Sequence, residues 1–153
     1  GGLQMLGEAL IDTAGVDGNA PGLGLLPLVT TFERAKTVRR TQARFGGVLG
    51  AWAALAGVSV AGYEIHHGQT AQHPAMAAQG DVAREVLPGI AWQNTAGNVL
   101  GVYLHGMLED PAVLHALFGA QAPTLDSVFD GLARVLGRSF APGALDALAA
   151  HWP

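Results

Sequence analysis

The chain has 153 residues, half of them hydrophobic, which is enough for one globular domain with a sizeable core. A formal net charge of -4 with eight Lys and Arg provides no broad basic surface, which argues against nucleic acid as a partner. Cysteine is absent, which excludes disulfides and thiolate metal sites, and no secretory signal pattern occurs, so we expect a cytoplasmic protein.

The chain begins with a predicted helix. "GGLQMLGEAL" places Leu3, Leu6 and Leu10 on one helical face after a tight glycine turn. A loop over residues 15–22 follows. Two strands are predicted next, "GLGLLPLVTTF" with Pro27 at an edge or bulge, and "KTVRRTQARF" with alternating polarity. Because residue 1 is glycine and not methionine, we expect the chain to be cut from a longer protein.

The uncharged stretch from Phe45 to Tyr63 is nearly long enough to cross a bilayer. Its glycines are spaced as turns, and it continues into the polar "EIHHGQT". We therefore expect a loop or helical turn followed by a strand, and no membrane partner.

The second half of the chain is predicted to hold three more strands and then helices. The strands are "VSVAGYEIHHG", "IAWQN" and "NVLGVYLH", the last two joined by "TAG". "EDPAVLHALFG" predicts a helix with Asp110 as its cap, Pro111 at its first position and Gly119 as its end. "LDSVFDGLARVLG" and "PGALDALAAHW" predict two further helices. No repeat or linker divides the chain, so we predict one mixed α/β domain over residues 1–153.

Three segments carry candidate functional residues. His105 closes a strand, where open α/β sheets present residues to a ligand, although position alone does not separate a catalytic histidine from a structural one. Glu64, His66, His67 and His73 suggest a metal, but on a strand His67 points away from Glu64 and His66, so we predict no metal site.

The third segment is "GGLQ". Glycines at a strand-to-helix turn let the backbone approach a substrate, and the first free amides of a helix favour an oxyanion, although an ordinary helix start fits the same letters.

Together these segments resemble the glutamine amidotransferase domain of the cobyric acid synthase family, within the class I, cobyrinate-type amidotransferases. The likeness runs in order through "GGLQMLG", "GLGLLPLVTTF", "KTVR", "GYEIHHG", "GNVLGVYLHGMLED" and "LDSVFDGLARVLGRSF". It implies a three-layer, flavodoxin-like α/β fold that is incomplete at its N-terminus, with residues 1–153 forming the C-terminal part of one amidotransferase domain.

The resemblance also implies the site. A nucleophilic cysteine is expected directly before Gly1, with His105 as its catalytic acid and base. Gly1 would donate its N–H to the oxyanion, Gly2 would form the turn, and Gln4 would help to hold the substrate glutamine. Many class I members have a glutamate two residues after the histidine, where this chain has Met107.

That difference puts a full catalytic triad in doubt. "GYEIHHG" is typical of the family, so Glu64 and His66 are candidates near the site, and a direct contact from Glu64 to His105 is left open.

The implied function is release of ammonia from glutamine for the amidation of adenosylcobyrinic acid a,c-diamide in cobalamin synthesis. ATP and magnesium would act in a separate N-terminal synthetase domain, which would also handle the corrinoid, because no phosphate-binding loop ending in Gly-Lys-Ser or Gly-Lys-Thr occurs here. Without the cysteine, this chain alone is expected to be inactive.

Two alternatives stay open. One is a related amidotransferase that acts on cobyrinic acid or a cell-wall lipid intermediate. The other is a non-catalytic scaffold module of the same fold.

Overall fold

The computed structural model describes residues 1–119 and 123–150 and has a mixed α/β fold, which confirms the predicted class. The chain divides into two compact units, Gly1–Ala120 and Gln121–Pro153. The first unit holds all eight strands of the described residues in two sheets.

A five-stranded sheet has the order β2-β1-β3-β4-β8. Its strands are β1 (Ala9–Ile11), β2 (Ala20–Pro21), β3 (Leu28–Arg44), β4 (Ser59–Gln72) and β8 (Leu104–His105). Strands β1 and β3 are parallel, and the other pairs are antiparallel. The centre of the sheet is the long β3–β4 hairpin, whose register shifts between Thr31 and Lys36.

A second, antiparallel sheet has the order β5-β6-β7. Its strands are β5 (Arg84–Leu87), β6 (Ala91–Gln93) and β7 (Leu100–Val102). The hairpin of β6 and β7 confirms the predicted turn at "TAG". Three α-helices belong to this unit: α1 (Gly2–Leu6), α2 (Pro74–Ala78) and α3 (Pro111–Phe118). Short 3-10 helices cover Gly50–Leu55 and Met107–Glu109.

The core of the first unit is one cluster of buried apolar side chains drawn from both sheets and from α1 and α3. It includes Leu3, Leu26, Leu28, Phe45, Val48, Leu55, Val60, Val86, Leu87, Ile90, Trp92, Tyr103, Leu104, Met107 and Val113. Burial of this apolar area is the main force that holds the two sheets together. The same packing fixes α1 against β7. Leu3 lies so close to Gly101 that a side chain at position 101 would clash with it.

The second unit consists of α4 (Leu125–Ser139) and α5 (Ala144–Ala150). Thr124 caps α4, because its hydroxyl accepts from the Ser127 amide at 3.2 Å. The helix carries five exposed apolar side chains at helical spacing, Leu125, Val128, Phe129, Leu132 and Leu136. His151 and Trp152, predicted as the end of the last helix, lie outside the described residues.

Three sequence predictions of local structure are wrong. The single strand predicted over residues 98–105 is two short strands, β7 and β8, which belong to different sheets. Leu10 lies in β1 and not in the first helix, because the main chain from Ala9 to Ile11 pairs with β3. Residues 28–44 of the two strands predicted at 22–32 and 36–45 form the single strand β3, because the irregularity after Thr31 lets one strand include the polar residues between them, and residues 22–27 are not in a strand. Strand β5 and helix α2 were not predicted.

Two others are confirmed. The stretch 45–63 forms a 3-10 helix followed by the start of β4, as the predicted helical turn and strand require. Helix α3 begins at Pro111 after the Asp110 cap, whose Oδ1 accepts from the Ala112 amide at 2.9 Å, and it ends at Gly119, which has a φ of 66°.

Candidate active site

His105 ends β8 with its side chain exposed. Its main chain pairs with Tyr63 of β4, and its Nε2 lies 3.3 Å from the carbonyl oxygen of Ile65. A carbonyl oxygen only accepts, so Nε2 carries the proton in this contact and Nδ1 is left as a free acceptor. Gly106 then turns the chain away with a φ of 82°, a left-handed conformation that glycine adopts without strain. His105 is therefore oriented by main chain and keeps a basic nitrogen available.

Gln4 reaches the same edge of β4 from helix α1. Its Nε2 donates to the carbonyl oxygen of His67 at 2.8 Å. Carbonyl groups two residues apart on a strand point to the same side and are about 7 Å apart. Strand β8 pairs with this edge of β4 only at Tyr63 and Glu64. Past the end of β8, the side chain of His105 contacts the Ile65 carbonyl and the side chain of Gln4 contacts the His67 carbonyl. The structure thus brings together two predicted site residues that are 101 positions apart in the sequence.

Gly1 and Gly2 form the turn at the start of α1. Gly1 is the N-cap, and its carbonyl accepts from the Met5 amide at 3.0 Å. The Gln4 Oε1 lies 3.7 Å from the position that a Cβ on Gly1 would occupy, while Gly2 has open space around it. The Gln4 amide therefore spans from this turn to β4. Both glycines are exposed, so the turn is open to a small molecule.

Glu64 and His66 point from β4 into the core, whereas the side chain of His105 is exposed. The Glu64 carboxylate is 2% exposed and accepts from Arg39 Nε at 2.8 Å, Arg39 Nη2 at 3.1 Å and Thr41 Oγ1 at 2.6 Å. His66 Nε2 lies 3.6 Å from Glu64 Oε2 and has no hydrogen-bond partner. Neither side chain contacts His105, so the contact from Glu64 to His105 that the sequence left open is not made.

The environment of Glu64 keeps it ionised. Burial by itself raises the pKa of the carboxyl group, but the hydrogen bonds from Arg39 and Thr41, the charge of Arg39 and the nearby His66 ring outweigh it, and the pKa is lowered. Arg39 and Thr41 were not singled out from the sequence, although Arg39 lies in the "KTVR" motif. This ion pair stabilises the β3–β4 hairpin directly behind the site.

A cluster of hydroxyl groups was also missed. The Thr70 hydroxyl bonds to the Tyr103 hydroxyl and, at 2.6 Å, to the Thr30 hydroxyl. Tyr103 lies two residues before His105, and Thr30 and Tyr103 are buried. The sequence does contain a sign of this cluster, because each strand of the hairpin has a threonine at a core-facing position. A buried hydroxyl group requires a hydrogen-bond partner in the core.

An open cavity of about 400 Å³ adjoins His105 on the exposed face of the hairpin. It is lined by residues that include Arg40, Tyr63, Ile65, Gly106 and Glu109. The volume is sufficient for a free amino acid.

The histidines proposed as metal candidates are engaged separately. His67 Nδ1 lies 3.2 Å from the Glu33 carbonyl, and His73 Nδ1 caps α2 by accepting from the amides of Ala75 and Met76. Across 1–119 and 123–150, no three His, Cys, Asp or Glu side chains converge in a way that could hold a metal ion.

Comparison with known proteins gives the family. The model of the CobB/CobQ-like glutamine amidotransferase domain matches residues 1–113. The chain is similar to the cobyric acid synthase of Acidovorax sp. (strain JS42), with 77% identity over 151 residues, 99% of this chain and 31% of the relative. The cobyric acid synthases of Acidovorax ebreus (strain TPSY) and Polaromonas sp. (strain JS666 / ATCC BAA-500) are 76% and 71% identical, over 97% and 98% of this chain and 30% of each relative.

The chain thus spans about 30% of the length of the relatives that it matches. The matched region contains β4, the α1 turn, Gln4 and His105. This chain belongs to the CobB/CobQ-like glutamine amidotransferase domain family.

Proposed function

We propose that this chain is the glutamine-hydrolysing part of a cobyric acid synthase, and that it supplies ammonia for amidation of adenosylcobyrinic acid a,c-diamide. The observation that carries the proposal is that His105 and Gln4 contact the carbonyl groups of Ile65 and His67 on the same edge of β4, and that Gln4 belongs to the helix that the glycine turn begins. The names of the close relatives support the choice of acceptor over a cell-wall intermediate.

The reaction requires a thiol, which we propose to be a cysteine directly before Gly1 in the full-length protein. His105 Nδ1 takes the thiol proton, and the thiolate attacks the side-chain carbonyl carbon of glutamine. The C–N bond then breaks, the proton goes to the departing ammonia, and a thioester remains. Water attacks the thioester with His105 again as the base, which releases glutamate and restores the thiol.

The remaining residues would bind and orient. The main-chain N–H of Gly1 would stabilise the oxyanion, and Gln4 would hold the substrate close to the turn. The Ile65 carbonyl would take the orienting role that a carboxylate has in a full triad, because it fixes the proton on His105 Nε2. Met107, two residues beyond His105, is buried and apolar, so it offers no such contact.

ATP and magnesium would serve in the synthetase part of the full-length protein, where the corrinoid carboxylates are activated. We propose that this part lies N-terminal to the present chain and that the enzyme works in the cytoplasm. Ammonia released at His105 would be consumed there, so ammonium salts should replace glutamine when the glutaminase is blocked.

The test is His105→Asn in the full-length protein, assayed with each nitrogen source. We expect glutamine-driven amidation to fall at least about a thousandfold, because loss of one member of a nucleophile–base unit removes most of its effect. Amidation from ammonium should stay unchanged. His115→Asn, an exposed histidine of α3, is the matched control and should leave both rates intact.

Either of two results would contradict the proposal. A variant that keeps most of its glutamine-driven rate shows that His105 is not the acid and base. Equal loss of both rates shows that His105 is structural.

A further inference from the structure

The hairpin of β3 and β4 has an exposed face that carries apolar side chains. Val38 of β3 is paired directly with Ile65 of β4, so their side chains lie side by side on one face of the sheet. Tyr63, two residues before Ile65, points to the same face because side chains alternate along a strand. The exposed fractions of Val38, Tyr63 and Ile65 are 64%, 52% and 36%. We call these three residues the hairpin patch.

The hairpin patch extends to the candidate active site. Tyr63 is paired with His105 on one side and with Arg40 on the other, so the three residues form a row across β8, β4 and β3. Arg40, Tyr63, Ile65 and His105 all line the open cavity of about 400 Å³. A protein surface that covers the patch would therefore also cover the cavity beside His105.

The composition of this face suits contact with another protein surface. Adjacent exposed apolar side chains with polar groups around them are typical of interaction sites. Within residues 1–119 and 123–150, the guanidinium of Arg40 forms no ion pair, so a complementary surface would place a carboxylate there.

The size of the patch favours a covalently attached partner. Three partly exposed side chains offer much less area than the ~800 Å² per partner that a stable complex of separate chains buries. A partner in the same polypeptide needs less contact, because the linkage keeps its effective concentration high. A second copy of the chain is therefore the weaker candidate.

The length of the relatives provides such a partner. The match to the Acidovorax sp. relative covers 99% of this chain but 31% of the relative, so most of that protein has no counterpart in the present structure. The synthetase activity was assigned above to this remaining part. Ammonia released at His105 must reach the carboxylate that is activated there, and contact beside His105 would keep it from escaping into solvent.

We infer that the hairpin patch is the docking surface for the synthetase part of the same polypeptide, and that this contact closes the cavity beside His105. This inference rests on the proposed function. Docking at this face would direct the released ammonia to the acceptor and would explain why apolar side chains stand exposed next to His105 in the present chain.

The first test measures coupling in the full-length protein with Val38→Asp. Glutamate release and amide formation are followed together. We expect the amide formed per glutamate released to fall at least about tenfold, because docking would bury an unpaired carboxylate. Free ammonium should accumulate instead, and amidation from added ammonium should not change.

Two matched variants control for the substitution itself. Val38→Leu stays apolar and should keep the ratio of amide to glutamate. Ile11→Asp changes an exposed β-branched residue of β1 in the same sheet and should also keep it. An unchanged ratio in Val38→Asp, or an equal loss of glutamine-driven and ammonium-driven amidation, would overturn the inference.

The second test does not depend on activity, and it decides the question if Val38→Asp does not fold. The photo-crosslinker p-benzoylphenylalanine is introduced in place of Val38 in the full-length protein, and in place of Ile11 as the control. We expect position 38 to crosslink, within one polypeptide, to the part that carries the phosphate-binding loop. Crosslinks only to a second copy, only to the stretch directly before Gly1, or to nothing would overturn the inference.

These outcomes separate the inference from the proposed function. If Val38→Asp keeps the ratio while His105→Asn loses glutamine-driven amidation selectively, the docking surface is wrong and the proposed function stands. If His105→Asn has no selective effect, the proposed function fails, and the coupling role of the patch fails with it.

Discussion

Gly101→Ala tests whether the packing of α1 controls the site. Gly101 lies in the middle of β7, and an added Cβ would meet Leu3 Cδ1, with Leu26 Cδ1 at 3.0 Å and Leu6 Cδ1 at 3.3 Å. Ordinary carbon contacts are about 3.5–4.0 Å, so all three side chains must move. Leu3 and Leu26 are buried in the core, so their movement disturbs the packing of their neighbours.

The expected loss in the free energy of unfolding can be estimated from these contacts. Overpacking a core by a methyl group costs about 1–3 kcal/mol, and because the contacts are side-chain ends we expect the lower half, about 1–2 kcal/mol. For a chain of this size that corresponds to a fall in Tm of roughly 2–8 °C, and the fall should be smaller in the longer full-length protein. Leu3 directly precedes Gln4, so relief of the clash shifts α1 and misplaces the Gln4 amide. Glutamine-driven amidation should therefore fall more than ammonium-driven amidation.

The measurement is thermal unfolding of the full-length protein together with both amidation assays. Gly137→Ala is the matched control, since Gly137 lies in α4 with nothing within 4 Å of its added Cβ, and there alanine should be neutral or stabilising. Adding Leu3→Val to Gly101→Ala removes the clashing carbon and should recover part of the loss. An unchanged Tm for Gly101→Ala would refute the reasoning.

Two further predictions concern stability. Glu64→Gln should flatten the acid side of the stability profile: the folded-state pKa of Glu64 is lowered, so its contribution is present above the ordinary value of 4.5 and is lost as pH falls through the folded pKa. Unfolding of both proteins by urea between about pH 6 and pH 3 checks this, and a constant difference between them would contradict it. Asp110→Ala should lower the free energy of unfolding by about 1–2 kcal/mol, because Asp110 caps α3 and its Oδ2 accepts from the Ala61 amide. Asp130→Ala, an exposed position of α4, is the control, and equal effects of the two variants in the same urea experiment would overturn the assignment.

Local signals in the sequence were sufficient for some elements. The cap, first-turn proline and final glycine of α3 lie within ten residues, and all three act as predicted. Leu10 shows the limit of such signals. Its spacing fits the helical face of Leu3 and Leu6, but parallel pairing of β1 with β3 determines its conformation. That pairing joins residues about 20 positions apart, which a local pattern does not contain.

The site shows the same division. His105 was singled out because it ends an apolar run, and "GGLQ" because its glycines form a turn before a helix, whereas the roles of Gly1, Gly2, Gln4 and His105 came from a resemblance. Their joint position on β4 depends on contacts that span 63 and 40 residues, which periodicity does not reveal. Glu64 lies on β4, the strand whose carbonyl groups His105 and Gln4 contact, but the alternation of β4 directs the Glu64 side chain into the core.

The central claim is that His105 serves the release of ammonia from glutamine. The most direct measurement follows the origin of the nitrogen in the amidated product, with amide-15N-glutamine and unlabelled ammonium supplied together and the product analysed by mass spectrometry. In the unaltered full-length protein the label should enter the product, and in His105→Asn the product should form from ammonium with no label. Label that enters the His105→Asn product as readily as before would contradict the account.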